Sequence, residues 1–281
     1  ENAAPVLRDD LDGLNMTDLF KTIENPLAKV LARMEEVGIE VDESILDNLQ
    51  VDFSGRLSEI EKKIYDLAGE EFNINSPKKL GDILFEKMKL PRGKKTKTGY
   101  STAADVLEGL KNESPIIPEI LEYRQLSKLM STYVEGLKPY INEDNRIRSL
   151  FRQNVAATGR ISSTEPNLQN IPIRTEEGRK LRAVFVAKPG HVLIDADYSQ
   201  IELRALASLA QDEAMIQSFK DGLDIHTKTA SEVENKPIED ITPLERSHAK
   251  AVNFGIIYGI SDYGLSQDLG ISRKEAKEYI D

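Results

Sequence analysis

The 281-residue sequence contains no cysteine. That absence excludes a disulfide framework and a thiolate metal site, and it fits a reducing compartment. No stretch approaches the roughly 20 apolar residues of a membrane span, so no membrane partner is expected. The opening ENAAPVLRDD lacks a signal-peptide layout. There is no initiating methionine, so residue 1 is expected to be an internal cut point. Internal repeats and low-complexity segments are also missing. Nor is there an excess of positive charge: 37 Lys and Arg stand against 48 Asp and Glu, for a net charge of −11. Taken as a sum, that argues against a nucleic-acid partner.

The distribution of charge says something different. Between Lys87 and Lys97, KMKLPRGKKTK carries six basic residues and no acid. From Asn145 to Arg182 there are eight Lys or Arg against three Glu. The acids gather in the first seventy residues and after Asp221. An acidic body with two basic stretches is compatible with phosphate binding, although KMKLPRGKKTK alone reads equally well as a solvated loop. The length suits about two domains, and an apolar share of 40% supports a packed core.

Residues 1–23 are acidic and irregular, and read as a tail from something upstream. Helical periodicity follows. NPLAKVLARMEEVGIEVD sets Leu27, Val30, Leu31 and Met34 on one face, with Gly38 just past its end. LSEIEKKIYDLAG aligns Leu57, Ile60, Ile64 and Leu67 before Gly69. SPKKLGDILFEKM has a Ser76–Pro77 start, and a long helical stretch is expected from about Pro118 to Tyr140. After Asn142 the texture changes. RIRSLF, RAVFVA and HVLIDA are short, β-branched or aromatic, and read as strands, the last two separated by the turn signal KPG. Helical patterning returns from Ile201. Thr242, Pro243 and Glu245 make a helix start, and Ser272 with Glu275 repeats the capping box.

The candidate chemistry lies in this second half. Asp195 and Asp197 end the apolar run LID and share a face if the strand continues through them. They could share an ion, or be an ordinary strand-end pair. Arg246, Lys250, Phe254 and Tyr258 recur every four residues and so form one stripe on a helix. The two cations lie toward the positive end of the helix dipole, where a polyphosphate is favoured, and the two aromatics could stack on a base. An amphipathic helix with a buried aromatic seam explains the same spacing. His226 suits either a ligand contact or a structural hydrogen bond. Arg160 and the donor-rich EPNLQNIPIR suit backbone phosphates or a self-satisfied loop.

Taken together, these segments resemble a known family. DADYSQIELR resembles motif A, and RSHAKAVNFGIIYG motif B, of the family A DNA polymerases, the bacterial DNA polymerase I group. ATGRISSTEPNLQNIPIR is similar to the loop that opens that family's palm, and DGLDIHTKTA to the segment between the two motifs. The likeness covers about residues 24–281.

The resemblance implies an α+β fold of a right-hand polymerase, with a helical thumb, a partial palm carrying an antiparallel-type sheet, and the start of helical fingers. Its segments would be an upstream tail (1–23), palm entry and thumb (24–141, basic tip 87–97), partial palm with motif A (142–207) and partial fingers with motif B (208–281). It implies template-directed DNA synthesis with two Mg²⁺ ions, held in part by Asp197 and the Tyr198 carbonyl. Arg246 and Lys250, with His226, would bind the triphosphate of a dNTP. Phe254 and Tyr258 would lie along the base, and Gln200 and Glu202 would border the sugar. Primer–template DNA would be met by Arg160, Asn167, Gln169 and Asn170, and by Lys94, Lys95 and Lys97 at the thumb tip. A cytoplasmic, nucleoid-associated location follows from the same likeness.

Ser208, Glu234 and Ser247 depart from the family's common residues without removing a catalytic group. The larger departure is motif C, a His-Asp-Glu hairpin with the second metal-binding carboxylate. None of the twenty-two residues after Gly259 resembles it. The partner of Asp197 is therefore expected in a segment beyond Asp281, and the chain alone is expected to be inactive. The alternative is a non-catalytic module that holds primer–template duplex, or one half of a split polymerase.

Overall fold

The fold was analysed in a computed structural model, which describes residues 3–91, 95–96, 99–173 and 175–280. It is mostly helical with three small antiparallel sheets, the α+β class expected. The chain divides into two compact units, Glu1–Leu193 and Ile194–Asp281, and the division falls inside the 142–207 segment. No helix among the described residues is long and apolar enough to cross a membrane.

The first unit begins with α1 (Ala3–Gly13) and α2 (Thr17–Leu19), which passes through a π-helical turn into α3 (Asn25–Val37). Strand β1 (Ile39–Val41) leads to the long α4 (Glu43–Ala68), followed by α5 (Pro77–Gly81) and the hairpin β2 (Lys95–Thr96) and β3 (Gly99–Tyr100). Then come α6 (Ala104–Glu108) and α7 (Ile116–Leu129), which runs through a π turn (Met130–Val134) into α8 (Glu135–Leu137). The segment expected to be helical from Pro118 to Tyr140 is thus helical throughout, with a π turn and a closing 3₁₀ turn inside it. The unit closes with β4 (Arg146–Ile147), β5 (Leu150–Arg152), β6 (Ser162–Thr164), α9 (Glu176–Arg182) and β7 (Phe185–Val186).

Helix α4 begins where Asp42 accepts a hydrogen bond from the Ser44 amide at 3.0 Å, a cap that satisfies one of the orphan donors of the first turn. Gly69 ends it in the left-handed region, its N–H bonding the Tyr65 carbonyl. Its buried face, Leu46, Phe53, Ile60 and Ile64, packs into one large core with Ile116, Ile117 and Ile120 of α7. Arg56 crosses the edge of that core, pairing with Glu177 of α9 at 3.0 Å and with Glu122 of α7 at 3.1 Å. Strand β1 is the centre of a sheet ordered β4-β1-β7, with Glu40 opposite Arg146 and Val41 opposite Phe185. At Gly38 (φ 62°) a Cβ would come within 2.6 Å of the Ile147 carbonyl oxygen, so only glycine lets β1 pair with β4 there.

Two expectations are corrected: residues 1–23, read as irregular, carry the helices α1 and α2, and the strand expected over HVLIDA is not formed. Of the α3 face, only Leu31 is buried; Val30 and Met34 are about half exposed and wall an apolar groove of about 460 Å³ together with Phe151 and Leu168. Residues 191–198 carry no regular secondary structure, and Ile194 is 84% exposed. A strand needs a neighbour for its N–H and C=O groups, and no described strand pairs with these residues.

The second unit is a run of helices: α10 (Ile201–Ala210), α11 (Glu213–Lys220), α12 (Ile225–Glu234), α13 (Pro243–Tyr258), α14 (Asp262–Leu269) and α15 (Arg273–Ile280). Both expected capping boxes are present. The Thr242 amide donates to Glu245 at 2.8 Å while the Glu245 amide donates to Thr242 Oγ1 at 3.3 Å. Ser272 and Glu275 do the same at 2.9 and 3.2 Å. The hydrophobic cluster here is small, centred on Val252, Leu265 and Ala276. It depends on Gly255, where a Cβ would strike the Ile260 side chain at 2.5 Å.

Candidate polyphosphate site on two helices

Helices α12 and α13 lie against each other in the second unit. Asp224 starts α12: its Oδ1 accepts from the Thr227 amide at 2.8 Å and from the Thr227 hydroxyl at 3.0 Å. Its Oδ2 receives the Arg246 guanidinium from α13 at 2.7 Å. Partial burial pushes this carboxyl up, but Arg246 and the two Thr227 donors outweigh it and hold it at about 2. One carboxylate therefore caps one helix and orients a cation on the other.

The expected stripe is assembled along α13. Lys250, one turn beyond Arg246, is exposed and makes no ion pair among the described residues. Phe254 sits 5.5 Å from the His226 ring, tilted 44°, and stacks with Tyr258 at 6.2 Å with an interplanar angle of 10°. The Tyr258 hydroxyl donates to Glu202, in the first turn of α10. His226 is 2% exposed. Burial lowers its pKa, Arg246 and Lys250 push the same way, and Asp224 opposes them. Its Nδ1 contacts the Asn253 side-chain nitrogen at 3.1 Å. Two cations, one uncommitted, thus stand beside an aromatic pair and a buried imidazole. Such a surface suits an anion attached to a flat ring.

Asp197 and Tyr198 stand apart from this cluster. Both are exposed in the unpaired segment before α10, Tyr198 at 79%, and Asp197 makes no hydrogen bond or ion pair among the described residues. Gln200 follows in the left-handed region (φ 53°) at the start of α10. Among the described residues no three His, Cys, Asp or Glu side chains converge on a possible cation position. Asp197 and the Tyr198 carbonyl are oxygen donors of the kind Mg²⁺ takes.

In the first unit, Gln169 ties the palm-like loop together, donating to the Ile161 carbonyl at 2.8 Å and accepting from the Ser163 amide at 3.2 Å. Its own amide is held by Asn167 at 2.9 Å. The Asn170 carbonyl accepts from the buried Tyr133 hydroxyl. Asn167 and Asn170 line a groove of about 450 Å³ with Lys128, Gln125, Thr132 and Thr175, and Arg160 is exposed nearby in sequence. Lys94 and Lys97 lie outside the described residues, as does the Lys95 side chain.

Sequence reading missed Asp224, Thr229 and Asn253. The D-x-x-T pattern of DIHT is a helix-start signature and would have found Asp224. Nothing in the spacing marks Asn253, because its role depends on which helix it faces.

A mixed unit with antiparallel sheets is followed by a run of helices, two of which gather cations and aromatics. The chain belongs to DNA polymerase family A, whose profile matches residues 43–281. It is 56% identical over 264 residues to DNA polymerase I of Lactococcus lactis subsp. cremoris, covering 94% of this chain and 30% of that protein. It is 53% identical over 277 residues to DNA polymerase I of Geobacillus stearothermophilus, covering 98% of this chain and 32% of the relative. Among solved structures, the polymerase domain of Pol1 from M. smegmatis, in complex with DNA primer-template and dNTP, matches with a TM-score of 0.90 and 42% identity, over 99% of this chain and 50% of that one. The chain thus spans about a third of the curated relatives' length and half of the solved domain.

Proposed function

We propose that this chain is the thumb, partial palm and partial fingers of a DNA polymerase I-type enzyme, and that its α12–α13 face binds the triphosphate of a dNTP. The observation that carries this reading is the convergence of Arg246, Lys250, His226, Phe254 and Tyr258 on one face. Arg246 and Lys250 act as pre-placed charge for the phosphates, while Phe254 and Tyr258 offer a flat surface for the base. Glu202, held by Tyr258, and Gln200 border the sugar. Asp197 and the Tyr198 carbonyl form one side of a two-Mg²⁺ site. When bound, such ions activate the primer hydroxyl and neutralise charge on the phosphates. The other side comes from a segment with a His-Asp-Glu hairpin, outside this chain. The unpaired 191–196 run supports this, because it has the composition of a strand and pairs with no strand among the described residues.

Two measurements test the reading. Titration of the 281-residue chain with dNTP should show saturable binding that Arg246→Ala and Lys250→Ala each weaken about tenfold or more, as expected for a lost charge-assisted hydrogen bond. Unchanged affinity in both variants would remove the site. Primer extension with Mg²⁺ and dNTPs should be negligible for the chain alone and appear when the complementary polymerase segment is added. Robust extension by mass-verified chain alone would contradict the incompleteness.

A second reading, a module that holds duplex without turnover, is favoured by the polar groove of Lys128, Asn167 and Asn170. The solved neighbour is itself a complex with primer-template. Arg160 and the 87–97 stretch, including Lys94, Lys95 and Lys97, add phosphate contacts in this reading. It requires affinity for duplex DNA that falls steeply with salt; no binding at low salt would exclude it.

A further inference from the structure

The hydrogen bonds around His226 form a chain in which the place of each proton bears on the next. The Ile225 carbonyl oxygen can only accept, and the Thr229 hydroxyl lies 2.9 Å from it. That contact uses the one hydroxyl proton. The Asn253 side chain lies 3.1 Å from the same Thr229 oxygen, which must accept there. The amide nitrogen of Asn253, rather than its oxygen, therefore faces α12. The reversed amide would need the Thr229 hydroxyl to turn from the Ile225 carbonyl to the Asn253 oxygen. The second N–H of that nitrogen reaches His226 Nδ1 at 3.1 Å, so Nδ1 is an acceptor and carries no proton. In a neutral imidazole the proton then sits on Nε2, which has no hydrogen-bond partner among the described residues.

We infer that Asn253 and Thr229 are positioning residues that lock His226 in its Nε2–H tautomer, making it an uncharged hydrogen-bond donor to a phosphate oxygen. The donor role rests on the triphosphate reading above; the tautomer does not. Burial is the main cause that favours the neutral ring; of the nearby charges, Asp224 at the start of α12 opposes it, while Arg246 and Lys250 on α13 act with it. Arg246 and Lys250 already supply positive charge. A neutral third donor adds a direction without adding to the charge that holds a leaving polyphosphate.

Two-bond ¹H–¹⁵N spectra of the full chain, ¹⁵N-labelled at histidine, decide the tautomer without any ligand. His226→Gln identifies the signal among the three histidines. The expected pattern is an unprotonated Nδ1 and a protonated Nε2 at neutral pH, lost to a tautomer mixture in Thr229→Val. A protonated Nδ1 or a mixture in the unmodified chain would overturn the proposal, and an unchanged pattern in Thr229→Val would remove Thr229 from it. Inorganic tripolyphosphate tests the donor. In Asn253→Asp the new carboxylate draws the proton to Nδ1, so affinity should fall about tenfold at pH 8 and recover as the pH drops and the ring becomes charged. Equal affinity for the two chains at every pH would overturn the donor role. Failure of the unmodified chain to bind tripolyphosphate would overturn the triphosphate reading, leaving the tautomer to stand or fall by the spectra.

Discussion

The two units bury different things. The first buries a broad apolar core along α4 and α7, with Leu46, Phe53, Ile64 and Ile116 fully enclosed. The second has a cluster of three buried hydrophobics on α13, α14 and α15, and between α12 and α13 it buries an imidazole in contact with an amide that also bonds a hydroxyl. An apolar core stabilises in proportion to area removed from water, whereas a polar cluster specifies geometry and adds little net stability. The first unit thus has the composition of a scaffold, and the second that of a site.

Core truncation should separate them most strongly. Phe53→Ala, in the enclosed face of α4, is expected to destabilise the first unit by about 3–5 kcal/mol, read by chemical denaturation. Leu265→Ala should fall toward the lower end of the roughly 2–5 kcal/mol range for such changes, because its cluster is small and can collapse. It should loosen the second unit while the α4–α7 signals stay unchanged; equal loss in both would erase the distinction. Thr242→Ala removes the α13 capping box and should cost about 1 kcal/mol, seen as faster amide exchange in the first turn of α13.

The smallest effect is in pH. His226 has a lowered pKa when folded, so the unfolded chain binds a proton that the folded chain resists. Stability of the second unit should therefore fall as the pH drops below the ordinary 6.5 toward the depressed folded value. His226→Gln should flatten that slope. A slope that persists in the variant would assign it to other groups.

Periodicity and caps were legible in the sequence, and so was the α13 stripe. Thr242 with Glu245 and Ser272 with Glu275 act within four residues, so local chemistry decides them. The 191–196 strand was misread because strand formation depends on a neighbour, which no local pattern reports. Val30 and Met34 show the same limit for a helix: their spacing gives a face, while burial depends on what covers it. Thr229 and Asn253 were missed since their meaning arises only when α12 lies on α13, whereas Asp224 carries a local helix-start signal.

Hydrogen exchange of the full chain with and without dNTP tests the division of labour most directly. The expected result is added protection in 225–234 and 243–258, with the α4–α7 core unchanged. No added protection in those two helices at saturating dNTP, or protection gained chiefly in the first unit, would contradict the assignment of the nucleotide site to α12 and α13.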